Sequence, residues 1–110
     1  MDALVACVAA FLGISPVPDL PEIEWQQRSP TQVECSITLI RAEQAGLIRP
    51  GQHSTCRAIS YIRKRDGKLV IVAPDVRTLR HEIGHKVRVF SGGRTTEAEA
   101  VRVETKADCR

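Results

Sequence analysis

The segment from Leu69 to Phe90 constrains the fold most, because it joins an apolar strand to an amphipathic helix. Residues 69–73 are apolar at every position, which indicates a strand that is covered on both faces. Pro74-Asp75 follows, and Asp75 is a suitable N-cap. The next apolar residues recur at steps of three, four, four and three: Val76, Leu79, Ile83, Val87 and Phe90. The sequence therefore predicts an inner strand and then a helix over residues 75–90 with one buried face.

Alternation and turn signals predict the neighbouring strands. Residues 22–25 alternate polar and apolar side chains, and residues 57–62 have the composition of a second strand. Asp66-Gly67 separates this second strand from the apolar one, and it is a strong hairpin signal because glycine accepts the positive φ of the turn. A last helix is predicted over residues 96–107.

A further helix is predicted over residues 30–45. Ser29 is the expected cap, Pro30 suits the first helical position, and Gln32 completes a capping-box pattern. We expect the helix to pack on the sheet through apolar residues at helical spacing: Val33, Ile37 and Ile40.

The composition fits one globular domain over residues 1–110, in which residues 1–21 are an apolar segment and a connector. The chain is 43% hydrophobic and 26% charged, so disorder is not expected. The apolar stretch 3–14 is too short to span a bilayer. It is interpreted as a core helix of a cytoplasmic protein, while a signal peptide and export remain open. Two disulfides and four buried thiols are both compatible with the four cysteines, which form no CxxC pair: Cys7, Cys35, Cys56 and Cys109.

The motif His81-Glu82-Ile83-Gly84-His85 lies within the predicted amphipathic helix. Residues four apart project from the same helix face, so the two imidazoles can bind one Zn²⁺ ion. Glu82 is offset by about 100° from His81, and it can act as the general base toward a metal-activated water. Ile83 belongs to the buried stripe, so the histidines face away from the core.

A catalytic zinc needs a third protein ligand, and two glutamates begin the last helix. Glu97 is preferred, because Thr96 and Glu99 fit a capping box in which Glu99 returns to the Thr96 amide. A hairpin of the last two helices would also bring Glu97 to the level of His85. Glu99 remains the alternative ligand.

Residues 57–105 resemble the gluzincin group of zincin-like metallopeptidases, in which an HExxH helix precedes a helix that donates a glutamate. Glu97-Ala98-Glu99-Ala100 is similar to the E-x-x-A pattern of that second helix, and the chain is similar in size to minigluzincins. The sequence departs from the group in the short spacing from His85 to Glu97. Val101 and Arg102 also stand where an acidic or amide residue is often found. The resemblance implies a zincin-like α+β fold with a small sheet packed on both helices. It also implies a hairpin edge strand that holds an extended peptide.

We therefore expect a hydrolase: a zinc metalloprotease that acts on a polypeptide of unknown identity. Tyr61, His53 and Arg102 are candidates for stabilising the oxyanion. One alternative is a zincin scaffold that binds or regulates without cleavage. Another is a small basic protein that contacts nucleic acid, although a net charge of +3 and 4% aromatic residues give this reading little support.

Overall fold

The computed structural model describes residues 2–14, 19–46, 56–93 and 96–109. Within these ranges the chain has the expected α+β architecture, with four helices and three strands. Their order is α1 (Asp2–Phe11), β1 (Ile23–Gln27), α2 (Gln32–Gln44), β2 (Ile59–Ile62), β3 (Leu69–Ala73), α3 (Val76–Phe90) and α4 (Glu97–Lys106). None of the described helices combines the length and apolar character that a membrane span requires.

The three strands form one mixed sheet in the order β1-β3-β2. β1 runs parallel to β3 and β2 runs antiparallel to it, so β1 and β2 are the two edges. The predicted hairpin is confirmed: the Arg63 amide donates to the Lys68 carbonyl at 2.9 Å, and Gly67 has a φ of +70°. Every residue of β3 is buried, as its continuous apolar sequence predicts.

The helices α1 and α3 cover one face of the sheet. Asp75 begins α3 as predicted, because its side chain accepts a hydrogen bond from the Thr78 amide at 2.8 Å. The central residues of the α3 stripe are buried, which turns the opposite side of the helix outward. This core comprises Leu4, Val8, Leu12, Leu69, Ile71, Ala73, Leu79, Ile83 and Val87.

The helix α2 differs from its prediction in both cap and buried face. Thr31 rather than Ser29 is the N-cap, and a capping box joins Thr31 to Glu34 at 3.1 and 2.9 Å. Cys35 is the buried residue, because a disulfide to Cys56 turns this side of α2 toward the start of β2. The apolar residues expected to face the sheet lie on another side and are exposed: Val33, Ile37 and Ile40.

A second disulfide joins Cys7 of α1 to Cys109 across 102 positions of sequence. The two bridges use all four cysteines, which decides between the two states that the sequence left open. The Cys7–Cys109 bond attaches the segment after α4 to α1. It therefore holds the C-terminal side of α4 against the core.

The helices α3 and α4 contact each other through residues spaced four apart on α3: Arg80, Gly84 and Arg88. Arg88 binds the carboxylate of Glu99 through Nε and Nη2 at 2.9 and 3.0 Å. Gly84 faces Val103, and a Cβ at Gly84 would lie 3.4 Å from that side chain. Arg80 donates to the Glu104 carbonyl at 2.8 Å. These pairings run in opposite directions along the two helices, so the helices are antiparallel.

Candidate metal centre

Two imidazoles from successive turns of α3 and one carboxylate from α4 lie together. His81 Nε2 is 3.2 Å from His85 Nε2. The carboxylate oxygens of Glu97 lie 3.3 Å from His81 Nε2 and 3.8 Å from His85 Nε2. All three ligand atoms are within 4.8 Å of one another, so these residues could hold one metal ion.

The distances can be compared with those that a tetrahedral ion requires. Bonds of about 2.0–2.2 Å to nitrogen and oxygen separate the ligand atoms by about 3.3–3.5 Å. The His81–His85 distance of 3.2 Å and the His81–Glu97 distance of 3.3 Å are close to this range, whereas the 3.8 Å contact of His85 is made to the other oxygen of the Glu97 carboxylate. If these three residues held zinc, a fourth position would be open to water or substrate, as in catalytic zinc sites. The cluster could therefore hold one metal ion, and the 3.2 Å distance alone would also suit a hydrogen bond between the imidazoles.

The ring of His81 is oriented through its second nitrogen. Glu104 Oε1 lies 3.1 Å from His81 Nδ1, and both side chains are only 12% exposed. Arg57 Nη2 donates to the same Glu104 oxygen at 3.0 Å and to Thr78 Oγ1 at 3.2 Å. An ionised carboxylate only accepts hydrogen bonds, so His81 Nδ1 carries the proton. In the neutral ring, His81 Nε2 then presents its lone pair toward Glu97, which is the tautomer that a metal requires.

His85 is partly buried next to Glu82. Burial lowers the pKa of His85 below its ordinary value, while the nearby Glu82 carboxylate opposes that shift. A neutral imidazole is the form that binds a metal. Glu82 lines the same cavity as His81 and Glu97 but is not a member of the three-ligand cluster. Its carboxylate therefore lies beside the candidate centre.

The centre opens into a cavity of about 240 Å³ whose walls come from the segment before β2, from α3 and from α4. Its lining residues are Arg57, Ala58, Thr78, His81, Glu82 and Glu97. A second cavity of about 290 Å³ lies between α2 and β2, where Ser60 and Tyr61 form part of its lining. The first cavity thus adjoins the segment that leads into β2, and the second adjoins β2 itself.

The structure brings together some of the residues that the sequence singled out. Those that meet at the first cavity or its edge are His81, Glu82, His85 and Glu97. Tyr61 lines the second cavity, and Arg102 is exposed on α4. His53 lies outside the described residues.

The alternative ligand, Glu99, has a different partner in the structure. Its backbone amide donates to the Thr96 hydroxyl at 3.1 Å, which is one half of the expected capping box. Its carboxylate binds Arg88 instead of returning to the Thr96 amide. Glu99 therefore stabilises the contact between α3 and α4, while Glu97 faces the imidazoles.

Sequence reasoning missed Glu104, Arg57 and Thr78. Glu104 follows Glu97 by seven residues, which is two helical turns, so both project from the same side of α4. This spacing was the available signal. Arg57 and Thr78 gave no comparable signal, because only the packing of the hairpin over α3 brings them together.

No family model, curated protein or solved structure matches the chain.

Proposed function

We propose that this protein is a zinc-dependent peptidase with a zincin-like fold of the gluzincin type. The observation that carries the proposal is the convergence of His81, His85 and Glu97 next to a cavity that Glu82 lines. The chain order of edge strand β2, central strand β3 and helix α3 supports the proposal. The resemblance to gluzincins implies a peptide-binding edge strand in the hairpin that precedes the HExxH helix.

Each side chain has a defined role in this proposal. Zinc, when bound, supplies Lewis acidity that polarises the peptide carbonyl and lowers the pKa of a water molecule. Glu82 accepts a proton from that water and transfers it to the departing amine. Glu104 holds the proton on His81 Nδ1, and Arg57 and Thr78 hold this assembly in place.

The edge of β2 suits an extended peptide. Because the Arg63 amide bonds to the Lys68 carbonyl, hydrogen-bonded and non-bonded pairs alternate along the hairpin from that point. Ser60 and Ile62 consequently direct their backbone N–H and C=O groups away from β3. A peptide can pair with these groups by strand addition, and the two cavities beside β2 can receive its side chains.

Metal analysis combined with a peptidase assay tests the proposal. We expect one zinc per chain and zinc-dependent cleavage within a broad peptide library. Glu82→Gln should keep the zinc but lower kcat by about 10²–10⁴-fold, because it removes the proton acceptor. Glu22→Gln is the matched control, since the Glu22 side chain is 72% exposed and lies outside the cavity lining.

Two results would contradict the proposal in different ways. A protein that binds no zinc when purified without chelators would have no metal centre. Zinc binding with no cleavage of the library would instead favour a zincin scaffold that binds or regulates other proteins. Equal activity of Glu82→Gln and the wild type would exclude the assigned role of Glu82.

A further inference from the structure

Arg57 is the only arginine or lysine among the described residues that line the cavity beside the metal centre. Its side chain is 65% exposed, yet its Nη2 is held by both Glu104 and Thr78. Thr78 is only 3% exposed, so the guanidinium is anchored to a buried group while most of its side chain remains accessible. Arg57 is therefore a fixed and accessible positive charge at the cavity wall.

The position of Arg57 in the chain determines which part of a substrate it would meet. Arg57 and Ala58 line the cavity and lead directly into β2. A peptide that pairs antiparallel with β2 runs from Ile62 toward Ala58. Its residues before the cleaved bond would lie along β2, and the first residue after that bond would lie beside Arg57.

The chemistry of this position favours an anionic group. A guanidinium is always charged and forms paired hydrogen bonds with carboxylates. The described contacts of Arg57 to Glu104 and Thr78 both use Nη2, so a substrate carboxylate would bind through the other guanidinium nitrogens. The cavity of about 240 Å³ is below the usual size of a pocket for a whole small molecule, and it suits a single residue.

We infer that Arg57 selects substrates with a carboxylate on the first residue after the cleaved bond. The carboxylate belongs either to an acidic side chain or to a free C-terminus. This inference rests on the proposed peptidase function and adds the substrate class to it.

A peptide library with mass-spectrometric identification of the cleaved bonds tests the inference on the zinc-loaded full chain. We expect Asp or Glu at the first position after the bond to raise kcat/KM about 5–30-fold over Ala, a range reduced for the exposure of Arg57. Peptides with an internal Asp and an amidated end report on a side-chain carboxylate. Peptides that end one residue after the bond, as free acids or amides, report on a terminal carboxylate.

Variants at position 57 connect this preference to the guanidinium. Arg57→Gln should bring the acidic-to-neutral ratio of kcat/KM close to one, and Arg57→Lys should keep part of the ratio because it keeps the charge without the paired donors. Arg77→Gln is the control, since it removes an exposed arginine of α3 that does not line the cavity. The ratio is measured within each variant, so a general loss of activity does not affect it.

The outcomes separate this inference from the peptidase proposal. Cleavage by the wild type without acidic enrichment would overturn the inference alone, and so would enrichment only before the bond. A preference that persists in Arg57→Gln would do the same. An absence of zinc-dependent cleavage by the wild type would overturn both. Any residual cleavage would then be the same for the wild type and Glu82→Gln.

Discussion

Replacing Glu104 with alanine tests whether the carboxylate behind His81 belongs to the metal centre. The substitution removes the acceptor 3.1 Å from His81 Nδ1 and the partner 3.0 Å from Arg57. His81 then loses the contact that fixes its tautomer and ring orientation. Losing such a partner typically weakens metal binding by about 10–100-fold, or about 1.4–2.7 kcal/mol. The low exposure of both side chains, 12% each, argues for the upper part of that range because water replaces the lost contact poorly.

Competition with a chromogenic chelator at fixed pH measures this change in zinc dissociation constant. Glu22→Gln is the matched control, because it removes a carboxylate that is 72% exposed and lies outside the cavity lining. Glu104→Gln adds a finer comparison, since its amide oxygen can still accept from His81 Nδ1 without the negative charge. We expect it to bind zinc with an affinity between those of the alanine variant and the wild type.

The orienting role of Glu104 is refuted if Glu104→Ala binds zinc within about threefold of the wild type while His81→Ala abolishes binding. The carboxylate would then not orient the ligand, because a loss of 10-fold or more is expected for such a partner. Thermal unfolding of the zinc-free variants shows whether a change in affinity comes from the site or from a damaged fold.

Three further predictions concern stability and packing. Cys7→Ser combined with Cys109→Ser should lower the free energy of unfolding in urea by about 2–5 kcal/mol, because the bridge closes most of the chain. The hydrogen-bonded Arg63 guanidinium lowers the pKa of Glu24 from 4.5 to about 2, so this pair stabilises the fold above pH 4.5 and loses its effect as the pH falls toward 2. Glu24→Gln should therefore show a weaker acid dependence of the urea midpoint over that window than the wild type. Gly84→Ala should be tolerated because its Cβ would make only a 3.4 Å contact, whereas Gly84→Val should reduce stability by about 1–3 kcal/mol and weaken zinc binding by displacing α4.

The sequence predicted the elements whose signals are local. The apolar strand, the hairpin glycine and the Asp75 cap depend on neighbouring residues, and all three are present in the structure. The placement of His81 and His85 on one side of α3 follows from helical geometry together with the buried position of Ile83.

The features that were predicted wrongly or left open depend on tertiary contacts. The apolar spacing in α2 suggested a buried stripe, but the Cys35–Cys56 bond fixes the rotation of that helix and leaves the stripe exposed. The roles of Glu97 and Glu99 depend on the rotation of α4, which the ion pair between Arg88 and Glu99 helps to set. Neither rotation can be obtained from the periodicity of one helix.

The geometry of the candidate metal centre follows from two adjacent stripes on α3. One stripe contacts α4 through Arg80, Gly84 and Arg88. The other stripe carries His81, which follows Arg80, and His85, which follows Gly84. Glu97 and Glu104, about 10.5 Å apart along α4, meet His81 at its two different nitrogens. An axial shift of α4 by one residue, about 1.5 Å, would lengthen one contact as it shortened or misaligned the other. The contacts between α3 and α4 therefore set the ligand geometry although Arg80, Gly84 and Arg88 are not members of the ligand cluster.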